Sequence, residues 1–218
     1  MATDPISTTP TTGAAAERSS PNVVWHASEL PRNERWSLVG ARGATVWFTG
    51  FSGSGKSTVA AAVERRLLEA GQPAYLLDGD NLRHGLNGDL GYSAADRDEN
   101  VRRVSEVARL FADAGVIALV PLISPYVAGR QRARAVHELA GLTFVEVFVD
   151  TPFDECERRD PKGLYRQARA GAIKGFTGID DPYEPPTDPE LVITPAEGDA
   201  AALAERVVAH LRDTGAVA

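Results

Sequence analysis

The sequence predicts an α/β fold, in which a five-stranded parallel sheet is flanked by helices on both faces. Two patterns support this prediction: short apolar runs recur along the chain, and a segment of helical character follows each run. The runs read TVWFTG, AYLLD, VIALVPLIS, TFVEVFVD and ELVIT. Regular alternation of strands with helices indicates a parallel sheet covered by helices on both sides.

The chain has the length of one domain with a tail. It contains 218 residues, against roughly 100–200 for an average domain. Residues 1–22 are rich in Thr, Ser, Ala and Pro and show no apolar periodicity. Such a segment buries too little apolar surface to offset the entropy of ordering. We therefore expect a disordered tail over residues 1–22 and a single domain over residues 23–218.

Composition restricts the partners of the protein. The net charge is −7, whereas general nucleic-acid binding depends on many basic residues that neutralise phosphates. No apolar run approaches the roughly 20 residues that a membrane span requires. Cys156 is the only cysteine, so a disulfide within the chain is excluded. We expect no nucleic-acid partner, no membrane partner and a reducing, cytoplasmic location.

The first apolar run leads into a phosphate-binding motif. GFSGSGKST, residues 50–58, fits the pattern G-x-x-x-x-G-K-[ST] between a strand and a helix. Its glycines let backbone N–H groups approach a phosphate, while Lys56 would reach the β- and γ-phosphates and Ser57 would ligate Mg²⁺. The motif predicts a P-loop NTPase or kinase fold, and by itself it leaves GTPase, ATPase and small-molecule kinase open. The predicted ATP-binding residues here are Gly50, Phe51, Ser52, Gly53, Ser54, Gly55, Lys56, Ser57 and Thr58.

The second run is followed by DGDNLRHGLN, which begins at Asp78. Open α/β sheets bind ligands at the carboxyl ends of their strands, where these residues fall. Asp80 could accept a proton from an acceptor hydroxyl or support Mg²⁺, and Arg83 could hold an anionic group. The alternative is an Asx-turn beside a solvated arginine.

The next segment, GYSAADRDENVRR, places Arg97 and Asn100 on one face of a helix, with Tyr92 in the loop before it. An aromatic ring near an arginine and an asparagine suits a purine and its phosphate or sulfate. The alternative is an ordinary helix cap. Apolar residues at helical spacing continue this helix from the region after Asp98 to Gly115.

A glycine-rich segment, DPKGLYRQARAGAIKGFTGIDDPYE, carries Lys162, Lys174 and Phe176 after Arg158. Basic residues among potential hinges are typical of a lid that closes over phosphates and excludes water. We predict a lid over approximately residues 160–186; the alternative is a surface loop. The last helix is expected around residues 200–213.

Together these motifs make the chain resemble the adenylylsulfate kinase (APS kinase) family, from Val24 to about Ile193. The motifs that carry the resemblance occur in the order VVWH, GFSGSGKST, DGDNLRHGLN, ENVRR, LISPY, FVD, RDPKGLY and KGFTGIDDPYE. The phosphate loop is generic, whereas DGDNLRHGLN and KGFTGIDDPYE are much more specific.

The resemblance implies a P-loop kinase that phosphorylates the ribose 3′-hydroxyl of adenylyl sulfate with ATP, giving ADP and 3′-phosphoadenylyl sulfate in sulfate assimilation. It also implies Mg²⁺, a homodimer and a functional association with ATP sulfurylase. Adenine would stack between Tyr92 and Phe176. The resemblance implies the catalytic residues Lys56, Asp80, Ser124 and Lys162, and the metal-binding residues Ser57 and Asp80. It adds Arg158 to the ATP-binding residues. The residues implied to bind adenylyl sulfate are Asp80, Arg83, Tyr92, Arg97, Asn100, Ile123, Ser124, Lys162 and Phe176.

Two positions depart from the family pattern, and at a third the family role conflicts with the residues around it. Tyr92 stands where the family commonly has Phe, and Val127 follows LISPY where Arg is usual, with Arg130 three residues later. Ser124 matches a serine described in the family as a phosphorylated intermediate, yet no base is visible beside it and direct in-line transfer needs no covalent stop. Two other functions stay open: another small-molecule P-loop kinase, and a catalytically inactive nucleotide-binding regulatory module.

Overall fold

The structure is a computed structural model that describes residues 24, 26 and 28–217. The chain divides into two units, Met1–Pro31 and Arg32–Ala218, and all helices and strands given below belong to the second. The predicted disordered tail, residues 1–22, lies outside the described residues.

The described residues form one parallel sheet of five strands, in the order β2-β3-β1-β4-β5. The strands are β1 (Ala44–Thr49), β2 (Ala74–Leu76), β3 (Ile117–Pro121), β4 (Thr143–Val149) and β5 (Leu191–Ile193). Each coincides with one of the predicted apolar runs, so the predicted five-stranded parallel sheet is confirmed.

In the described residues each strand is followed by a helix, as predicted, and a further helix precedes the first strand. The helices are α1 (Arg32–Val39), α2 (Lys56–Glu69), α3 (Gly79–Leu82), α4 (Ala94–Ala114), α5 (Val127–Leu139), α6 (Phe153–Arg159), α7 (Leu164–Arg169) and α8 (Ala200–Asp213). A 3₁₀ turn spans Pro195–Glu197.

Helix α4 begins at Ala94, three residues before Arg97, the first residue that the sequence pattern assigned to this helix. A capping box satisfies its first turn: the Ser93 hydroxyl accepts from the Asp96 N–H, and the Asp96 carboxylate accepts from the Ser93 N–H. Its end at Ala114, followed by Gly115 with φ +96°, agrees with the prediction.

Two apolar cores lie on opposite faces of the sheet because successive strand residues point to opposite sides. Val46 and Phe48 of β1 pack in a core with residues of α2 and α8, while Trp47 packs with residues of α4 and α5. Among the described residues, no helix has the length and apolar character needed to cross a bilayer. The two cores fix the strands so that the loops at their carboxyl ends meet at one edge.

Candidate active site

A cavity of about 650 Å³ lies at the carboxyl ends of β1, β2 and β3. It brings together most of the predicted site residues, although they are scattered along the chain. The predicted residues that line it are Ser52, Gly53, Gly55, Lys56, Ser57, Thr58, Asp80, Arg83, Tyr92, Arg97, Asn100, Ile123, Ser124, Lys162 and Phe176. Gly50, Phe51, Ser54 and Arg158 are absent from its lining.

The phosphate loop is shaped by its glycines and held from outside. Gly50 has φ +143°, and a Cβ there would lie 2.7 Å from the Val149 carbonyl oxygen, so only glycine fits. The Thr151 hydroxyl donates to the Ser54 carbonyl at 2.8 Å, and the Tyr165 hydroxyl donates to the Ser52 carbonyl at 2.9 Å. The loop is therefore positioned by the structure around it before any phosphate binds.

Lys56 is buried at the start of α2, with 7% of its surface exposed. Its Nζ donates to the carbonyl oxygens of Gly50 at 3.0 Å and Phe51 at 2.7 Å. Burial lowers the pKa of this amine to about 8. The ammonium group is thus shielded from water and hydrogen-bonded to neutral carbonyl oxygens. An anionic phosphate would bind it more strongly than these carbonyls do.

The two carboxylates of the DGD motif have different partners. Asp78 caps α3 by accepting from the N–H groups of Asp80 and Asn81, and its other oxygen accepts from the Ser57 hydroxyl at 3.1 Å. Asp80 instead forms an ion pair with Lys162. These contacts place Asp78, which was not among the predicted metal-binding residues, beside the Ser57 hydroxyl that was. Asp80, the predicted metal-binding carboxylate, contacts Lys162 instead.

Arg83 and Tyr92 form one wall of the cavity. The Arg83 guanidinium carbon lies 4.4 Å from the centroid of the Tyr92 ring, and its Nη1 donates to the carbonyls of Leu90 and Gly91. Tyr92 is 61% exposed. The guanidinium is fixed by the loop that precedes α4, and its remaining donors are available to an anion.

Arg97 connects α4 to the KGFTGIDDPYE segment. It donates to the carbonyl of Tyr92 at 3.0 Å, to the carbonyl of Gly175 at 2.5 Å and to the hydroxyl of Thr177 at 2.8 Å. Asn100, three residues later on the same face, is buried and accepts from the Asn87 amide at 3.0 Å. These contacts hold both predicted acceptor-binding side chains in defined positions.

Phe176 belongs to an apolar cluster that also contains Cys156, Tyr165 and Ala168. It is 7% exposed and packs edge-on against Tyr165, with ring centroids 4.9 Å apart. Both Phe176 and Tyr92 line the cavity, but in these positions Tyr92 faces the Arg83 guanidinium. The stacking of adenine between the two rings remains a prediction.

Ser124 occupies a strained turn after β3. Its φ is +40°, uncommon for a residue other than glycine, and it is buried. Its hydroxyl accepts from Trp47 Nε1 at 3.1 Å and contacts the Leu122 carbonyl at 3.5 Å. No histidine or carboxylate hydrogen-bonds to this hydroxyl in the described part of the chain. The neighbouring Ile123 carbonyl accepts from the Thr49 hydroxyl at 2.7 Å.

The glycine-rich segment has an exposed lysine near its start and is hydrogen-bonded to a neighbouring loop near its end. Lys162 is more than half exposed, and Arg158 pairs with Glu155 at 2.7 Å rather than facing the cavity. Further along, Asp181 accepts from the Tyr126 hydroxyl at 2.9 Å. Movement of this segment as a lid stays a prediction, as does a role for Arg158 with ATP.

Comparison with known proteins identifies a family that contains the residues of this cavity. A family described as "Adenylylsulphate kinase" matches residues 42–194, which make up most of the chain and include every cavity-lining residue named above. The chain belongs to the adenylylsulfate kinase family.

Individual adenylylsulfate kinases are similar over nearly the same span. An adenylyl-sulfate kinase of Clostridium acetobutylicum is 51% identical over 195 residues, covering 89% of this chain and 96% of that protein. A bifunctional enzyme CysN/CysC of Mycobacterium tuberculosis is 60% identical over 181 residues, which cover 83% of this chain and 29% of that larger protein.

A solved structure is also similar. The M. tuberculosis APS kinase CysC in complex with AMPPNP and APS has a TM-score of 0.77 and 60% identity, covering 79% of this chain and 99% of that one. The adenylylsulfate kinase fold expected from the motifs is thereby confirmed.

Proposed function

We propose that this protein transfers the γ-phosphoryl group of ATP to the ribose 3′-hydroxyl of adenylyl sulfate, giving ADP and 3′-phosphoadenylyl sulfate. The observation that carries the proposal is a single cavity with the phosphate loop on one wall and Arg83, Arg97 and Asn100 on another. The similarity to a kinase solved with AMPPNP and APS supports it.

Phosphoryl transfer requires mainly positioning and charge neutralisation, because its transition state is loose and spreads charge over the equatorial oxygens. The loop N–H groups and the α2 N-terminus would hold the phosphate tail of ATP. Lys56 would exchange its contacts to the Gly50 and Phe51 carbonyls for phosphate oxygens. Holding the two nucleotides in line recovers roughly 7–11 kcal/mol of the barrier.

The donor set near the phosphate loop fits Mg²⁺. Mg²⁺ prefers oxygen ligands and usually keeps several waters, so it requires only one or two protein groups beside the phosphates. The Ser57 hydroxyl and the Asp78 carboxylate lie 3.1 Å apart and offer such groups. When bound, the ion would neutralise the charge on the β- and γ-oxygens. The contacts favour Asp78 over Asp80 for this position.

Asp80 and Lys162 would act on the acceptor side. Asp80 would accept the proton of the 3′-hydroxyl as it attacks, and Lys162, now paired with Asp80, would move to the phosphates. Arg83 and Arg97 would hold the phosphate and sulfate of adenylyl sulfate, with Asn100 on the same wall. We place the adenine between Tyr92 and Phe176, and residues 160–186 in the lid that excludes water.

The contacts of Ser124 support a role in the shape of the turn and give no support to a phosphorylated intermediate.

We further propose a homodimer in the cytoplasm and a functional association with ATP sulfurylase. The homodimer is what the family resemblance implies, and the cytoplasmic location is based on the single cysteine. The association rests on the family resemblance.

The experiment supplies Mg²⁺-ATP with either adenylyl sulfate or AMP, measures ADP release and separates the products by chromatography. We expect a 3′-phosphorylated product from adenylyl sulfate only, and in the Lys56→Ala variant a fall in turnover of about a hundredfold or more. Equal use of AMP would identify another small-molecule kinase, and nucleotide binding without ADP release would identify a regulatory module. Light scattering on the same sample should give about twice 23.2 kDa.

A further inference from the structure

The turn that contains Ser124 rests on one buried arginine. Arg130 lies in the first turns of α5, directly after the LISPY motif, and only 2% of its surface is exposed. Its Nη1 donates to the Ser124 carbonyl at 2.6 Å, and its Nη2 donates to the Glu184 carbonyl at 2.7 Å. One guanidinium therefore connects a loop of the cavity with the end of the glycine-rich segment.

The two connected backbone segments also contact each other. The Glu184 N–H donates to the Pro125 carbonyl at 2.8 Å, and the Glu184 carboxylate accepts from the Val127 N–H at 2.7 Å. The residues Ile123–Pro125 line the cavity, and any displacement of Glu184 would be transmitted to them.

Glu146 of β4 holds Arg130 in place. Its Oε1 accepts from Arg130 Nε at 2.7 Å, and both side chains are buried. A buried charge needs a partner and further hydrogen bonds. The planar guanidinium of Arg130 directs its Nε, Nη1 and Nη2 donors at three separate acceptors. The three acceptors come from the sheet, the cavity turn and the glycine-rich segment, so the position of the guanidinium defines their mutual arrangement.

We propose that Arg130 is a positioning residue for the acceptor nucleotide. It holds the strained Ser124 turn and the Glu184 end of the glycine-rich segment in the arrangement that forms the adenylyl sulfate wall of the cavity. It touches neither nucleotide and acts through Ile123–Pro125. Arg130 has no hydrogen bond to the phosphate loop and reaches it only through the Tyr183 ring, which lies 5.9 Å from the guanidinium carbon and packs against Phe51. We therefore expect ATP binding to change much less than binding of adenylyl sulfate. The proposal rests on the proposed function.

The test separates positioning from folding. Arg130→Met alone leaves the buried Glu146 carboxylate with only its longer contact to Arg134, at 3.4 Å, so we expect it to lower the melting temperature. The double variant Arg130→Met, Glu146→Gln removes both charges and should regain most of that loss. We expect its KM for adenylyl sulfate to rise about tenfold or more, with KM for ATP within about twofold of wild type.

Arg134→Met is the matched control. Arg134 lies one turn further along α5 and contacts Glu146 at 3.4 Å and Glu190 at 2.5 Å, but neither Ser124 nor Glu184. It should leave KM for adenylyl sulfate unchanged. Arg130→Lys keeps the charge and loses the fork, so we expect an intermediate KM; this variant decides the question if the double variant does not fold.

The outcomes are distinguishable. A wild-type KM for adenylyl sulfate in the folded double variant or in Arg130→Lys would overturn the positioning role, as would an equal rise in the two KM values or the same rise in Arg134→Met. If the wild-type protein itself does not phosphorylate adenylyl sulfate, the proposed function fails before any variant is compared.

Discussion

Asp78 and Asp80 belong to one motif, but their carboxylates contact different residues of the site. They are separated by one glycine, yet Asp78 accepts from Ser57 at 3.1 Å while Asp80 pairs with Lys162. The helix cap explains the difference: Asp78 is fixed at the N-terminus of α3, whereas the Asp80 side chain is 65% exposed and free to meet the opposite loop.

Replacement of each carboxylate by an amide should separate the two roles. Asp78→Asn keeps the cap, because asparagine caps helices as well as aspartate does, and should weaken the apparent Mg²⁺ affinity about tenfold or more. Asp80→Asn should lower kcat with little change in the Mg²⁺ requirement. Initial rates measured against free Mg²⁺ at saturating ATP give both quantities. A shift of the Mg²⁺ curve in Asp80→Asn alone would reverse the assignment.

The sequence identified the residue types of the site better than their partners. Arg83 was predicted to hold an anionic group because it follows the second strand, and Arg97 and Asn100 because their spacing places them on one helix face. The fold brings all three to one cavity. The contact between Asp78 and Ser57 joins residues 21 positions apart, and the contacts of Arg130 join residues up to 54 positions apart. Such pairs depend on the packing of the sheet and leave no periodic signal.

At the scale of elements, prediction succeeded where a strand is buried on both faces. β1 and β3 are buried throughout and read as continuous apolar runs. The edge strands β2 and β5 are short and partly exposed, and they were found because their few residues are still mostly apolar. The short helices α3, α6 and α7 were not predicted, because four to seven residues give too little periodicity to recognise. The exact start of α4 at Ala94 was not predicted because its first residues, Ala94–Arg97, include no large apolar side chain, although Ser93 and Asp96 have the spacing of a capping pair.

In the second half of the glycine-rich segment, Gly178 packs closely against two aromatic rings. Gly178 has φ +93°, and a Cβ there would lie 2.5 Å from the Phe153 ring and 3.0 Å from the Phe51 ring. We expect Gly178→Ala to lower the free energy of unfolding by about 1–3 kcal/mol, because backbone strain and overpacking add. Denaturant unfolding measures the loss.

Gly171→Ala is the control for that substitution. Gly171 has φ +74°, so alanine meets the same kind of backbone strain, but the nearest atom to a Cβ there is the flexible end of Lys174 at 3.8 Å. A loss as large as that in Gly178→Ala would mean that the aromatic packing contributes nothing beyond backbone conformation.

At the scale of the whole molecule, the parallel sheet and its helical layers were predictable, but the strand order was not. Alternation of strands and helices indicates parallel pairing, whereas the order β2-β3-β1-β4-β5 depends on which crossover packs on which face. The order matters for function, because it places the ends of β1, β2 and β3 next to one another and so builds the cavity.

The stability of this core should depend on pH through His137. The side chain is fully buried on α5: its Nδ1 donates to the Ala133 carbonyl at 2.7 Å, and its Nε2 accepts from the Thr45 hydroxyl of β1 at 2.8 Å. Burial lowers the pKa of His137, with Arg109 acting in the same direction. The folded protein therefore favours the neutral ring, while the unfolded chain takes up a proton at its ordinary pKa of about 6.5.

Below about pH 6.5 the unfolded state binds more protons at this site than the native state, so the free energy of unfolding should fall as the pH falls. One such group contributes a slope of at most about 1.4 kcal/mol per pH unit, which ends once the folded protein also protonates. Denaturant unfolding between pH 7.5 and about pH 5 should show this slope in wild type and a smaller one in His137→Gln. The exposed His84 supplies the control, since His84→Gln should keep the wild-type slope. An unchanged slope in His137→Gln would show that other groups, and not the histidine between α5 and β1, make this fold sensitive to acid.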